Sequence, residues 1–319
     1  MKPLGMTLPL GGIPLSEHRD WLREMADLGY TDFWSVEAGG TDAFTPLALA
    51  AAWIPEVRLG TAIVPAYTRG PATLAMSAAS LAEAAPGRFS IGIGASSNVI
   101  VERWNGIPFE APYQRVKDTL LFLRRALAGE KIDEHFASFA VQGFRLQMGP
   151  LASPPPILVA ALREGMLRLA GRHGDGAILN WLSAEDVRRV APIVHAGGPG
   201  KQIVARLFVI PSADRALARS IARRAAAAYL TVPVYAAYHE WLGRGEQLAG
   251  LWRHWQAGDR AAAAAAIPDE VVDALVIHGS PGECREHVER YREAGVTTPV
   301  LAILHADDLR TAIRQLAPH

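Results

Sequence analysis

The chain of 319 residues holds one cysteine, Cys284, so it can form no internal disulfide and no cysteine-built metal cluster. A dominant charge is missing as well. Lys and Arg number 32 and Asp and Glu number 32, which leaves no basic footprint for nucleic acid or for an anionic membrane surface. Outside alanine-rich stretches that read as helix, no apolar run reaches the roughly 18 residues a membrane-crossing helix needs. The start, Met1-Lys2-Pro3-Leu4-Gly5, has no apolar segment with a cleavage site, so it does not read as a secretory signal. These absences together predict a soluble protein of the reducing cytoplasm. The ten histidines are scattered, with neither a His-x-His on the first strand nor a His-Glu-x-x-His, which argues against a zinc hydrolase. No Gly-x-Ser-x-Gly elbow is present either, and Cys284 falls on an amphipathic helix face, a place for packing more than for a nucleophile.

Half of the residues are hydrophobic, enough for a large core. They fall into short apolar runs that alternate with helical patterns. The runs are Met6–Leu10, Thr31–Val36, Arg58–Ile63, Arg88–Ile93, Ile157–Ala161, Gly176–Asn180, Ile203–Ile210 and Val300–Leu304. Punctuation supports the helices between them. Ser16 suits the cap of the first and Gly29 its stop, while Pro71 opens the third. Ser280-Pro281-Gly282-Glu283 is a capping box. Strands alternating with helices predict a parallel sheet, and eight such units predict closure into a (β/α)8 TIM barrel spanning residues 1–319 as one domain. Two insertions interrupt it after the fourth and seventh strands. Lys131–Met148 reads as a hairpin or loop, and Asp214–Ala274 as helix throughout. A doubly wound open sheet fits less well, because Gly92-Ile93-Gly94 lacks the third glycine of a dinucleotide fingerprint.

In a barrel, chemistry gathers at the carboxyl ends of the strands. Those positions are Glu37, Ala62 to Arg69, Gly94 to Asn98, Ala160 to Gly165, Asn180-Trp181, Arg206 and His305. Gly94-Ala95-Ser96-Ser97-Asn98 is small and polar and opens a helix, so its N–H groups and hydroxyls suit a phosphate. Ala160-Ala161-Leu162-Arg163-Glu164-Gly165 repeats that shape in the next unit and adds the Arg163 cation. Each loop alone reads equally as a tight βα turn. Two in neighbouring units favour a shared phosphate-bearing ligand. With no catalytic side-chain constellation in view, a cofactor that carries the reaction is the natural expectation.

Several collinear segments carry a resemblance over nearly the whole chain. They include Asp27-Leu28-Gly29-Tyr30-Thr31-Asp32-Phe33-Trp34, Gly60-Thr61-Ala62-Ile63 with Tyr67-Thr68-Arg69, and Gly87-Arg88-Phe89-Ser90-Ile91-Gly92-Ile93-Gly94. Glu102-Arg103-Trp104-Asn105-Gly106 and Gly174-Asp175-Gly176-Ala177 continue the pattern. The chain resembles the luciferase-like monooxygenase superfamily, and within it the branch that uses the deazaflavin coenzyme F420. The resemblance implies hydride transfer between F420 and a small organic substrate. Its alternative is an FMN-dependent monooxygenase fed with reduced flavin by a partner reductase. It implies a non-prolyl cis peptide at Ala62-Ile63, a ring seated against Ala62, Ile63 and Val64, and a phosphate-bearing tail on Gly94, Ala95, Ser96, Ser97 and Asn98. Ala160, Ala161, Leu162, Arg163 and Gly165 would complete that cradle, and a homodimer is implied as well.

One departure stands out. Relatives often carry an Asp-His pair after the second strand, where this chain has Val36-Glu37-Ala38-Gly39-Gly40. Glu37 is the nearest substitute for an acid/base group; otherwise it serves as a cap for the Gly-Gly turn. The missing pair also leaves room for a coenzyme-binding protein without turnover of its own. Trp104, Asn180 and Trp181 are expected to shape the substrate pocket, and specificity to lie in the two insertions.

Overall fold

The computed structural model describes residues 2–148 and 151–318. Eight parallel strands close on themselves: β1 (Gly5–Leu8), β2 (Asp32–Ser35), β3 (Arg58–Thr61), β4 (Phe89–Gly94), β5 (Ile157–Ala160), β6 (Gly176–Asn180), β7 (Gln202–Ile210) and β8 (Thr298–Ile303). Each pairs with its successor, and β8 returns to β1. The fold is the (β/α)8 barrel that the alternation predicts.

Helices clothe the outside: α1 (His18–Asp27), α2 (Phe44–Trp53), α3 (Pro71–Ala84), α4 (Pro112–Leu127), α5 (Glu164–Arg172) and α6 (Ala184–His195). After β7 come α7 (Arg215–Leu230), α8 (Pro233–Trp241), α9 (Gly245–Gln256), α10 (Arg260–Ala265) and α11 (Asp269–Leu275), then α12 (Pro281–Glu293), and α13 (Leu309–Leu316) follows β8. Among the described residues no helix is long and apolar enough to cross a membrane.

Strand alternation sends Met6, Leu8, Phe33, Leu59, Ile91 and Val159 outward into the layer shared with the helices. The other face fills the lumen with Trp34, Leu158, Ile178, Val204 and Val300, on which Ala62 and Ile63 rest. Glycines make that plug possible. A Cβ on Gly60 would lie 2.3 Å from the Trp34 ring, and one on Gly92 would lie 2.1 Å from the Thr61 carbonyl oxygen and 2.2 Å from Ile178 Cδ1. Each missing methyl is replaced by a neighbour's bulk.

The first insertion contains an antiparallel hairpin, Ile132–His135 with Ala140–Phe144. The second is the five-helix run α7–α11. It ends in a three-residue strand, Val276–His278, that pairs in parallel with Phe208–Ile210. The sequence reading missed that strand, since three residues straight after a helix carry no periodicity of their own.

Ser16 does not cap α1: it lies in a 3-10 turn, Leu15–Glu17, and α1 has no side-chain cap. His18 orders the segment instead. Its Nε2 accepts from the Leu10 N–H at 2.9 Å, so its Nδ1 is the donor to the Pro14 carbonyl at 2.9 Å. Ser280 does cap α12, in a reciprocal pair with Glu283.

Candidate active site at the barrel mouth

At the end of β3 the Thr61 hydroxyl replaces part of the ladder. It donates to the Gly92 carbonyl at 2.9 Å and accepts from the Gly92 N–H at 2.8 Å. The chain then departs through a cis Ala62–Ile63 link, the position the resemblance implies. It rejoins β4 with Val64 opposite Ile93 and Pro65 opposite Gly94. Ala62 and Ile63 are half-buried above the lumen plug, whereas Val64 is fully buried in the outer layer.

Gly94 fits tightly beside them. A Cβ there would come 2.8 Å from the Ala160 Cβ and 3.1 Å from Ile63 Cγ1. Ala62, Ile63, Gly94 and Ala160 thus form a continuous low floor on neighbouring strands β3, β4 and β5. The two loops expected to hold a phosphate leave the same arc. Ser96 is left-handed at φ 65°, and the chain enters a π-helical turn at Val99–Trp104. Among the described residues the N–H groups of Ser96, Ser97 and Asn98 meet no backbone acceptor. The Ser97 hydroxyl accepts from the Ile100 N–H at 3.4 Å. In the second loop Glu164 turns to Arg168, which leaves the exposed Arg163 outside that pair, while Ala161 is buried.

Glu37 does reach the mouth, but it is engaged. Arg69 Nη1 donates to its two oxygens at 2.6 and 2.8 Å, and the Ala43 N–H donates at 2.9 Å. Arg69 also covers the Phe44 ring, 5.1 Å from its centroid. This pair bridges the β2 and β3 loops. Tyr67 turns away from it, donating to the Glu110 carbonyl at 2.5 Å beneath the Arg115 guanidinium.

The far wall is polar. In the closed ring β7 stands across from β3, and Arg206 on β7 pairs in register with Asn180 on β6. Asn180 Nδ2 donates to the Tyr235 hydroxyl at 3.0 Å. Burial pushes that phenol up to about 12, against the lowering effect of the Asn180 bond, so at neutral pH it is a donor. Four polar atoms on lumen-facing positions are buried without a partner among the described residues: Thr7 Oγ1, Trp34 Nε1, Asn180 Oδ1 and Arg206 Nε. Arg206 and Asn180 thus place polar groups at the carboxyl ends of β7 and β6, where a barrel gathers its chemistry.

Tyr235 went unseen in the sequence because it lies in α8 of the helical insertion, where only helix-forming composition could be read. Trp181, expected to line the pocket, is fully buried. It stacks on Phe208 with ring centroids 4.0 Å apart and packs against Tyr229 at 5.0 Å, under the helical roof. Trp104 stays exposed, its ring edge close over Gly39.

A separate cavity of about 220 Å3 opens at the amino end of the barrel, beside Asp32, Arg58 and Gln202. Asp32 is already held there by Arg58 in a two-point pair at 2.9 and 2.7 Å. The site at the opposite end therefore combines a side-chain-poor floor, an adjoining N–H-rich loop and an unsatisfied polar wall. The carboxyl end of the strands is also where (β/α)8 enzymes carry their chemistry.

Comparison with known proteins supports this class. Residues 3–298 match the luciferase-like monooxygenase family, and the chain belongs to it. A Mycobacterium tuberculosis protein assigned as a coenzyme F420-dependent oxidoreductase is 27% identical, the alignment covering 96% of each chain. Among solved structures, the coenzyme F420-dependent tetrahydromethanopterin reductase of Methanopyrus kandleri shares the fold with a TM-score of 0.80 at 20% identity, covering 99% of this chain and 97% of that one. The oxygenating constituent of 3,6-diketocamphane monooxygenase from Pseudomonas putida, solved with FMN, shares it with a TM-score of 0.65 at 18% identity, over 99% and 97%.

Proposed function

We propose that this chain is an F420-dependent oxidoreductase that moves a hydride between the coenzyme and a small organic substrate. The observation that carries the reading is the floor at the strand ends, where Gly94 and Ala160 are small and Ala62 and Ile63 lie half-buried on the lumen plug. Bound there, the deazaflavin would supply a two-electron carrier that transfers hydride. The chain's own work is positional. The floor holds one face of a flat ring and leaves the other open toward β7. Gly94, Ala95, Ser96, Ser97 and Asn98 offer N–H and hydroxyl donors to an anionic tail. Ala160, Ala161, Leu162, Arg163 and Gly165 extend that cradle, and Arg163 adds a charge. Val64 contributes from beneath by fixing the bulge against β4.

Glu37 stands at the rim, and the acid/base role falls to it only if Arg69 releases it. The expected result for Glu37→Gln is weakened coenzyme binding through a loosened Arg69, with no change in the pH limb of kcat. A lost pH limb would instead make Glu37 the proton-exchanging group.

The likeness to an FMN-bound oxygenating subunit supports a second reading, an FMN-dependent monooxygenase served by a partner reductase. Titrating the purified protein separately with F420 and with FMN, and following absorbance and fluorescence, distinguishes the two. Saturable binding of F420 with none of FMN is expected. The reverse outcome establishes the monooxygenase reading, and binding of neither coenzyme defeats both.

A further inference from the structure

We propose that Arg206, Tyr235 and Asn180 form a substrate-docking wall for an oxyanion, so that the substrate carries a carboxylate or phosphate group beside its reacting carbon. The inference rests on the functional reading above and extends it to the substrate class.

Arg206 is half-buried on β7, with its guanidinium over the Phe208 ring at 4.9 Å and its Nε unpartnered. Other half-buried arginines are engaged. Arg69 has Glu37, Arg244 has Asp186, and Arg88 and Arg115 donate to backbone carbonyls. Among the described residues Arg206 has no such pair, so a ligand is the natural source of its counter-charge. The aromatic face beneath it holds the planar fork in place, and that fork matches carboxylate and phosphate oxygens two at a time.

The neighbours point the same way. Asn180 Nδ2 donates to the Tyr235 oxygen, which leaves the phenolic proton free to donate onward. Guanidinium and phenol therefore present donors together from β7 and α8, and no carboxylate of the described residues is bonded to either. Topology sets Arg206 apart from the coenzyme's phosphate cradle, while Asn180 on β6 borders the strand that leads into the 160–165 loop. The 94–98 and 160–165 loops leave β4 and β5, whereas Arg206 and Asn180 belong to β7 and β6, and β7 faces β3 across the mouth. A ring resting on Ala62–Ile63 turns its free face to this wall.

The test compares wild type with Arg206→Gln, Arg206→Lys and Tyr235→Phe. Each protein is first titrated with F420 by fluorescence. Each is then titrated, with and without F420, with acetate against ethanol, benzoate against benzyl alcohol, and phenyl phosphate. Calorimetry reads the unloaded protein, and the coenzyme spectrum reads the loaded one. Wild type is expected to take an anion at least tenfold more tightly than the matching alcohol. Arg206→Gln should erase that preference and Arg206→Lys restore part of it, with F420 affinity held within threefold. The better of benzoate and phenyl phosphate identifies the anion. Equal binding of anion and alcohol by wild type, or an unchanged preference in Arg206→Gln, overturns the proposal. So does a loss confined to F420 affinity, which would give Arg206 to the coenzyme. A wild type that binds anions but not F420 defeats the coenzyme reading and leaves the anion wall standing.

Discussion

His239 sits in α8 with none of its surface exposed. Burial, aided by the Arg244 cation and opposed by Asp186 and by the Trp181 backbone, lowers its pKa to about 4. An unfolded histidine titrates near 6.5. Between those values the unfolded chain binds a proton that the folded chain refuses, so stability rises with pH across this window and is lost as the pH falls. Integrating the linkage from pH 7 to pH 5 gives a loss of roughly 2 kcal/mol from this one residue. At this chain length, that corresponds to about 3 °C in Tm. The perturbation is His239→Gln, which keeps a polar side chain of similar size but cannot titrate. Thermal unfolding of both proteins at pH 7 and pH 5 reads the effect. The wild type should lose about 3 °C more than the variant over that interval. Identical losses would refute the reasoning, because they would mean that His239 takes up its proton as readily folded as unfolded.

Other outcomes follow from contacts described above. Gly94→Val places branched carbon between Ala160 and Ile63, and should weaken F420 binding at least tenfold in a fluorescence titration while the far-ultraviolet dichroism is unchanged. Asp186 accepts from Ser183 and from Arg244 at 2.7 Å. Asp186→Asn strands a buried guanidinium and opens a capping box, and should cost about 3–5 kcal/mol in urea unfolding. Burial pushes the Cys284 thiol up to about 12, so a disulfide reagent should leave the native protein unmodified and label it fully once urea unfolds it.

The barrel was legible because each unit carries its own punctuation: Pro71 opens α3, Gly29 follows α1, and Ser280 with Glu283 starts α12. The floor was legible as well, since Gly94 and Ala160 are small where a strand ends. The far wall was only half visible. Asn180 and Arg206 could be placed at strand ends, but the partner that turns them into a donor set, Tyr235, lies 55 residues beyond Asn180 on an insertion helix. Hydrophobic periodicity reports which face of a helix is buried and not which loop it covers. Glu37 shows the same limit, because whether it is free or clamped depends on Arg69, 32 positions later. Ser16 misled for a local reason: a capping residue type carries no weight once His18, at the start of α1, binds the loop at Leu10 and Pro14.

The stack of Trp181 on Phe208 has a mechanical consequence. Trp181 follows Asn180 directly, and Phe208 lies two residues past Arg206, while both rings pack beneath Tyr229 of the helical roof. Tyr229 in turn meets Tyr235 edge-on at 5.8 Å. Roof and wall are therefore keyed together through one aromatic hinge pin. Exchanging the roof for that of a relative would retune two strand ends without touching a residue of either strand.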